Sequence, residues 1–299
     1  MSNGIIDFVI PLHRYHYMVQ TVVEAIYKFY SPKNIYIVTP TKFCDIIRRE
    51  SIKWSVHIIT IPEENFFVAN YNLHYNDIYD MFNKVQDERS REFGWWYQQL
   101  IKLGAFSQIP NLSNPYVVWD SDLIPLIKWD IYPTSDSSTY KFAVLQEKSK
   151  SEWVLEQYKN SLFNLTKLSI CDPEEGTFVP HHFIFYHEVL DGLIRHIELD
   201  TDNNWIKNIM NLSHIYYRFS EFRTVSAFMK KNFPDLLKYH EFQLFGKDGI
   251  RIREPRQFLK EMDEFLSCEN MTSIPYDDFV QFTKHKFENL PSYLQLEHI

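Results

Sequence analysis

Glycine is scarce in this chain of 299 residues, which contains seven where a usage of about 7% would give roughly 21. The seven positions cannot spell the G-x-G-x-x-G fingerprint of a dinucleotide-binding fold or the G-x-x-x-x-G-K sequence of a P-loop. Two large classes of nucleotide-binding protein are therefore excluded.

Cysteine and positive charge are also in short supply. Three scattered cysteines (Cys44, Cys171 and Cys268) form neither a disulfide framework nor a zinc-binding pattern, and they fit a reducing compartment. The formal net charge of −8 argues against a broad nucleic-acid-binding surface. Any phosphate site must therefore be a local cluster of Lys or Arg.

Long hydrophobic runs are missing as well. No apolar stretch approaches the roughly 18 residues that a membrane span needs. The first apolar stretch, Ile5–Leu12, is interrupted by Asp7 and follows no basic region, so it predicts a strand rather than a signal peptide. We expect a cytoplasmic protein with no membrane span.

Two common hydrolase motifs are absent. His187-Glu188 and His240-Glu241 lack the second histidine of H-E-x-x-H, and the sequence contains no G-x-S-x-G. A zincin and a serine hydrolase of the α/β type are thus not expected.

Three short apolar runs in the first 60 residues predict buried strands, at Ile5–Leu12, Asn34–Val38 and Val56–Ile61. Helical spacing of apolar residues separates them, as from Val19 to Tyr30. This β-α-β-α-β order predicts an α/β fold with a parallel sheet and right-handed crossovers.

The rest of the chain has no internal repeat and no Gly/Ser-rich linker. We predict one domain over residues 1–250 and a helical C-terminal extension over 251–299 that packs on it. Residues 63–92 are predicted to be loop and short helix. Strands are predicted at Tyr116–Trp119, Phe142–Leu145 and Thr177–Tyr186, and helices at Phe93–Phe106, Glu188–Ile197, Ser220–Met229, Pro255–Phe265 and Tyr276–Phe287.

The strongest chemical signal is Asp120-Ser121-Asp122, which follows the predicted strand Tyr116–Trp119. Alternation sends both carboxylates to one side, where they could share a cation, and hard oxygen ligands suit Mg²⁺ or Mn²⁺. Ligands of open α/β sheets bind at such strand ends. The alternative is an ordinary turn, because Asp and Ser favour turns.

A second signal lies just upstream. Gln98 and Lys102 are four residues apart on one face of the predicted helix, where they could contact a diphosphate or a sugar. A solvated polar face of an amphipathic helix would give the same pattern.

Together these segments resemble the GT-A glycosyltransferases, in particular members from bacterial polysaccharide clusters and large algal viruses. The similarity rests on W-W-Y-Q-Q-L-I-K-L from Trp95 and on V-V-W-D-S-D-L-I-P from Val117. F-V-P-H-H-F-I-F from Phe178 and F-S-E-F from Phe219 extend the same pattern. The resemblance implies a GT-A-like (Rossmann-like), mixed but mainly parallel central sheet flanked by helices.

The resemblance also implies a metal-dependent transfer from a nucleotide sugar, with UDP favoured, to a glycan or glycoprotein acceptor. Mn²⁺ (or Mg²⁺) would be held by Asp120 and Asp122 and completed by a late histidine, His240. The donor-binding residues would be Pro11, Leu12, Arg14, Thr39, Gln98, Lys102, Asp120 and Ser121.

Glu221 is the candidate catalytic base. It follows Ser220, a plausible helix N-cap, and it is flanked by Phe219 and Phe222, whose apolar bulk would desolvate it. In inverting GT-A enzymes a carboxylate at an equivalent helix start accepts the proton of the acceptor, which favours Glu221 over Asp191 and Asp202. Ordinary capping electrostatics would explain the same residue without catalysis.

His181 and His182 are candidates for the acceptor or sugar pocket. They occupy a strand-like segment and should point to opposite faces, so at most one lines the site. Two other function classes stay open: a phosphoryl-transfer enzyme or nuclease built on paired carboxylates, and a non-catalytic carbohydrate-binding protein.

Overall fold

A computed structural model describes residues 5–54, 56–85, 92–134, 138–146, 151–199, 201–212, 217–267 and 273–297. Cys268 lies outside the described residues. The strands are β1 Phe8–Pro11, β2 Ile35–Thr39, β3 Ile58–Pro62, β4 Tyr116–Trp119, β5 Leu123–Pro125, β6 Phe142–Ala143, β7 His182–Phe185, β8 Tyr239–His240, β9 Ile250–Ile252 and β10 Tyr293–Leu296. The helices are α1 Val19–Tyr30, α2 Thr41–Ser51, α3 Val68–Tyr71, α4 Tyr75–Val85, α5 Phe93–Gln108, α6 Glu152–Thr166, α7 His187–Glu198, α8 Trp205–Asn211, α9 Glu221–Asn232, α10 Phe242–Phe245, α11 Arg256–Leu266 and α12 Tyr276–Lys286.

The central sheet has the strand order β3-β2-β1-β4-β7. Its first four strands run parallel, and β7 is antiparallel to β4. The residues of β1, β2, β4 and β7 are buried, as expected of strands covered by helices on both faces. The predicted mixed, mainly parallel sheet flanked by helices is confirmed.

Local patterns located the first half of this sheet closely. Helix α1 has the predicted bounds and ends at Ser31, whose left-handed φ of 43° breaks the helical path. Strand β4 also has the predicted bounds, Tyr116–Trp119. These elements bury their own apolar residues, so their sequence pattern and their packing agree.

Helix α5 is buried on nearly all sides. Trp96 and Tyr97 are almost fully inaccessible, and Phe93 packs against Tyr75 and Phe82 of α4. Helix α4 lies in the stretch that the sequence indicated as loop and short helix, and its aromatic side chains bury it despite its polar composition. The packing fixes α5 next to β1 in the core.

The C-terminal segment contributes a strand that the sequence did not indicate. Helices α11 and α12 lie where helices were predicted. Strand β10 follows them and is the centre of a second sheet of order β5-β10-β9. Helix α12 packs on α1, and the predicted boundary near residue 250 falls at the start of β9. That boundary stays a prediction.

Two further differences concern the middle of the chain. Helix α6 was not predicted, and the strand expected over Thr177–Tyr186 is limited to β7. A φ of 61° at His181 ends the extended path just before β7. Within the described residues, the helices are too short or too polar to cross a membrane.

Candidate active site

A cavity of about 1480 Å³ opens at the carboxyl end of β4. The loop after β1, one face of α5, the first turn of α9 and the β9–β10 sheet all contribute to its wall. This is the edge at which ligands bind in open α/β sheets. Of the residues predicted from the sequence, it is lined by Pro11, Leu12, Arg14, Gln98, Lys102, Asp120, Ser121, Asp122, His181 and Glu221.

Asp120 and His181 face each other because of the β4–β7 register. Trp119 pairs with His182, so the residues just beyond this pair, Asp120 and His181, are also adjacent. The backbone N–H of Asp120 donates to the His181 carbonyl at 2.8 Å, and the His181 Nδ1 lies 2.8 Å from the Asp120 Oδ2. A carboxylate on Nδ1 fixes the orientation of the ring and leaves Nε2 for another partner.

Asp120, Asp122 and His181 form the one group in the described part of the chain whose ligand atoms could surround a metal ion. One ligand atom from each lies within 4.8 Å of the others. The Oδ1 of Asp122 and the Nε2 of His181 are buried and have no hydrogen-bond partner among the described residues. Buried polar atoms without partners are costly, so these donors fit a hard divalent cation such as Mn²⁺ or Mg²⁺.

The protonation of the two aspartates is set by different neighbours. Burial alone would raise the pKa of Asp120, but Lys102 and His181 outweigh it and lower this pKa to about 2. Burial, opposed by His181 and reinforced by the charge of Asp120, raises the pKa of Asp122 above its ordinary value. A cation between the two carboxylates would relieve their repulsion.

Lys102 is buried between two carboxylates. Its side chain is 2% exposed, and Nζ lies 2.5 Å from the Asp120 Oδ1 and 2.6 Å from the Glu221 Oε1. The ammonium also lies 4.5 Å from the centroid of the Phe222 ring. Burial would lower the pKa of Lys102, but the two carboxylates raise it above its ordinary value, so the lysine stays charged. Lys102 therefore joins the strand β4 aspartate to the first turn of α9.

Glu221 begins α9 and is held from two sides. Ser220 caps the helix, its side chain accepting from the Arg223 N–H, as its residue type predicted. The Glu221 N–H donates to the Gln99 Oε1 at 3.1 Å. The sequence suggested desolvation by Phe219 and Phe222, but the structure also places an ammonium against this carboxylate.

The C-terminal strand reaches the same site. The Leu296 N–H donates to the Asp122 carbonyl at 3.0 Å, and the Gln295 Nε2 lies 3.4 Å from the Asp122 Oδ2. Gln146 donates to the Gln295 Oε1 at 2.8 Å, which orients the amide. Asp122 is thus positioned by a strand more than 170 residues further along the chain.

Thr39, His182 and His240 do not line this cavity. Thr39 is fully buried at the end of β2. His240 packs on the Phe245 ring, and its Nε2 lies 2.8 Å from the Asp130 carbonyl oxygen. The structure therefore places His181, rather than His240, beside the aspartates.

His182 is a core residue. Its ring contacts the rings of Trp119 and Trp129, its Nε2 accepts from the Ala143 N–H, and its Nδ1 donates to the Pro180 carbonyl. Burial lowers the pKa of His182 to about 3, so the ring is neutral. Of the two adjacent histidines only His181 lines the cavity, and His182, the first residue of β7, is buried in the core.

The cavity also has a basic character that the net charge hides. Its lining includes seven Lys or Arg and five Asp or Glu residues. Most of these cations have an acidic partner: Arg218 pairs with Glu92, Arg223 with Asp172 and Arg251 with Glu297. Sequence reasoning missed these arginines, together with Gln99 and Gln295, because they are scattered along the chain and follow no recognisable motif.

No family model matches this chain. The leucine–tRNA ligase of Thermoplasma acidophilum is 24% identical over 194 residues, which are 65% of this chain and 18% of the ligase. The match therefore spans less than a fifth of that enzyme.

Several solved structures resemble this one at 10% identity or less. Mouse xyloside xylosyltransferase 1 has a TM-score of 0.42 with 9% identity, covering 91% of this chain and 97% of its own. The galactosyltransferase LgtC has a TM-score of 0.37 with 7% identity, covering 97% and 87%. The inositol-1-phosphate CTP transferase of T. maritima has 0.35 with 9% identity, covering 80% and 87%. These likenesses include both glycosyltransferases and nucleotidyltransferases, and they are too distant to assign an activity.

Proposed function

We propose that this protein is a metal-dependent glycosyltransferase that moves a sugar from a nucleoside-diphosphate sugar to a glycan or glycoside acceptor. The observation that carries the proposal is the group of Asp120, Asp122 and His181 at the carboxyl end of β4, open to a cavity of about 1480 Å³. A cavity of this size accommodates a nucleotide sugar together with part of an acceptor.

Asp120, Asp122 and His181 would hold the metal ion through carboxylate oxygens and the free Nε2. Bound there, Mn²⁺ or Mg²⁺ would offset the negative charge that develops on the leaving diphosphate. Lys102 keeps Asp120 ionised and in place, and Gln295 orients Asp122. These residues prepare the site before the donor arrives, which reduces the reorganisation needed during transfer.

Glu221 would act as the base of an inverting transfer. Its carboxylate would accept the proton of the acceptor hydroxyl, while the acceptor oxygen forms a bond to the anomeric carbon of the sugar. The bond between that carbon and the diphosphate oxygen breaks, and its electron pair leaves with the nucleoside diphosphate. Glu221 lines the cavity, and Lys102 contacts both it and Asp120, so the proposed base lies next to the proposed metal site.

Donor binding is assigned to the other side of the cavity. Pro11 ends β1, Leu12 and Arg14 follow it, and Gln98 is a half-buried residue of α5. Arg14 is exposed and has no acidic partner within 4.0 Å among the described residues, so its charge is available to a phosphate. UDP is favoured by the sequence resemblance, and a glycan or glycoprotein acceptor and a cytoplasmic location likewise stay predictions.

A two-metal phosphoryl-transfer site would need further acidic ligands around Asp120 and Asp122. In the described part of the chain the residue that joins them is a histidine. A purely carbohydrate-binding role would not require a charged group buried between two carboxylates beside a cation site. We therefore argue for the transferase alone.

The proposal is tested by calorimetry of the full chain with UDP and Mn²⁺, followed by a melting screen across UDP-, GDP- and CMP-sugars. We expect UDP to bind with Mn²⁺ and the Asp122→Ala variant to lose both the metal dependence and most of the affinity. The matched control is Asp248→Ala, an exposed aspartate outside the cavity lining. Equal UDP affinity in the wild type and Asp122→Ala would refute the assignment, and a clear preference for a GDP-sugar would overturn the choice of donor.

A further inference from the structure

The wall of the cavity nearest the C-terminus carries three cations: Lys247, Arg251 and Arg253. We call these residues the C-terminal basic wall. Arg251 belongs to β9 and Arg253 follows it, so strand alternation sends both side chains to the cavity, while Ile250 and Ile252 pack on the hydrophobic core. No function has been assigned to these three residues in the proposed transfer.

The charge of this wall is only partly compensated. Arg251 pairs with Glu297 and donates to the Gln146 Oε1 at 2.8 Å. Lys247 and Arg253 have no acidic partner within 4.0 Å in the described ranges of the chain, although both are exposed and face a cavity. Burial, together with the charge of Arg253, lowers the pKa of Arg251, and the charge of Asp122 opposes this shift.

The wall is also held rigidly. Arg251 pairs in register with Gln295 of β10, and Gln295 pairs with Leu123 of β5. Gly249 lies flat against the Tyr293 ring: a Cβ at this position would be 1.8 Å from a ring carbon. The backbone that carries Arg251 and Arg253 is therefore fixed before a ligand binds, which lowers the entropy lost on binding.

The C-terminal basic wall lies beside the metal site, since the charge of Asp122 reaches Arg251. Strand β9 is two strands away from β5, the strand that begins directly after Asp122. With strands about 4.8 Å apart, the β9 backbone lies roughly 10 Å from that of β5. Lys247 and Arg253 have no acidic partner among the described residues, so both charges are available to an anionic group that lies beyond the diphosphate in the same cavity.

We propose that the C-terminal basic wall binds an anionic group, a phosphate or a carboxylate, carried by the acceptor substrate. This proposal rests on the proposed function, because it places the acceptor on the opposite side of the metal site from the donor. The expected acceptor is then an acidic or phosphorylated glycan. Guanidinium groups bind both phosphates and carboxylates through paired N–H donors, so the chemistry of the wall fits either anion.

The test uses calorimetry on the full chain saturated with UDP and Mn²⁺. The probes are glucose 6-phosphate, glucuronate and, as the neutral comparison, glucose. We expect at least one anionic probe to bind and glucose not to bind. The anion that binds more tightly identifies the phosphate or carboxylate source. Failure of both anionic probes to bind would overturn the proposal.

Three variants make this test specific. Arg253→Gln should weaken the binding of the anionic probe about tenfold or more, and Arg253→Lys should retain most of it. The matched control, Arg256→Gln, removes the same charge from an exposed position outside the cavity lining and should have no effect. Equal losses in Arg253→Gln and Arg256→Gln would overturn the proposal.

The last part of the test measures UDP binding. UDP affinity should be the same in Arg253→Gln and the wild type, and a weaker UDP affinity in this variant would assign the wall to the donor and overturn the proposal. The probe titrations are repeated without UDP. If the wild type fails to bind UDP but binds the anionic probes through Arg253, the proposed function fails while the anion site stands.

Discussion

Lys102 and Glu221 are 119 residues apart in the sequence, and their charged groups lie 2.6 Å apart in the protein interior. The same ammonium contacts Asp120, so one buried cation compensates two buried carboxylates. This arrangement revises the expectation that Lys102 faces the donor diphosphate. The lysine lines the cavity, but its ammonium group is paired with Asp120 and Glu221 of the protein itself.

Lys102→Met should therefore destabilise the fold. It leaves Asp120 and Glu221 buried without their cation, and breaking a buried ion pair on one side costs about 3–5 kcal/mol. Urea denaturation would measure the free energy of unfolding. The control is Lys53→Met, which removes an exposed lysine from Glu50 and should change stability by less than about 1 kcal/mol. Similar stabilities for the two variants would show that Lys102 is not structural.

Metal binding should distinguish His181 from His240. We expect His181→Ala to weaken Mn²⁺ binding by about tenfold or more, because the variant removes the nitrogen ligand from the group that also contains Asp120 and Asp122. His240→Ala should leave Mn²⁺ affinity unchanged, since its Nε2 is occupied by the Asp130 carbonyl. Titration followed by electron paramagnetic resonance of Mn²⁺ measures both. A larger loss of Mn²⁺ affinity in His240→Ala than in His181→Ala would instead identify His240 as the ligand.

The difference between these histidines shows what the sequence could and could not predict. Asp120 and Asp122 follow a strand whose pattern is local, so their place at the sheet edge was predictable. His181 is brought to Asp120 by the antiparallel pairing of β7 with β4, a register that no local pattern reveals. His240 was predicted as a ligand from the family resemblance. The sequence around it does not indicate that it lies in β8, outside the cavity.

The same limit applies to the C-terminal strand. Tyr293–Leu296 is four residues long, and its partners β5 and β9 are themselves only three residues each. Such short strands have little periodicity, and they form because their pairing partners are already in place. The contact from Gln295 to Asp122 was for that reason invisible in the sequence.

Gln295→Ala tests that contact. Removing the amide leaves the Asp122 Oδ2 without its donor and should weaken Mn²⁺ binding by up to about tenfold, as is usual for residues that support a metal ligand. Gln243→Ala is the control, because Gln243 is exposed and bonds Glu175 instead. Calorimetric titration with Mn²⁺ compares the two. Unchanged affinity in Gln295→Ala would mean that the strand backbone alone positions Asp122.

Stability should fall below neutral pH. Burial lowers the pKa of His16 to about 4 and that of His182 to about 3, against about 6.5 in an unfolded chain. Between these values the unfolded state binds more protons, so each histidine contributes stability that is present above pH 6.5 and lost as the pH falls. The loss is up to about 1.4 kcal/mol per pH unit for each group.

Urea denaturation at pH 7 and pH 5 measures this dependence. His16→Gln should reduce the difference in unfolding free energy between the two pH values, because it removes one of the two groups. His57→Gln, at an exposed position, should keep the full difference. An unchanged pH dependence in His16→Gln would contradict the assignment of His16 as a buried neutral histidine.

Glu221→Gln is the sharpest test of the transfer chemistry. Glutamine keeps the size of the side chain and can still accept from Lys102, but it cannot take the acceptor proton, so kcat should fall by about 10²–10⁴-fold. Donor affinity should persist, because Asp120, Asp122 and His181 are unchanged and Lys102 keeps Asp120 as a partner. A purely structural Glu221 would instead lower stability and leave the kcat of the folded fraction near normal. Product analysis by NMR completes the argument: a single direct displacement by the acceptor oxygen inverts the anomeric carbon, so a product that retains the donor configuration would rule out the inverting transfer proposed for Glu221.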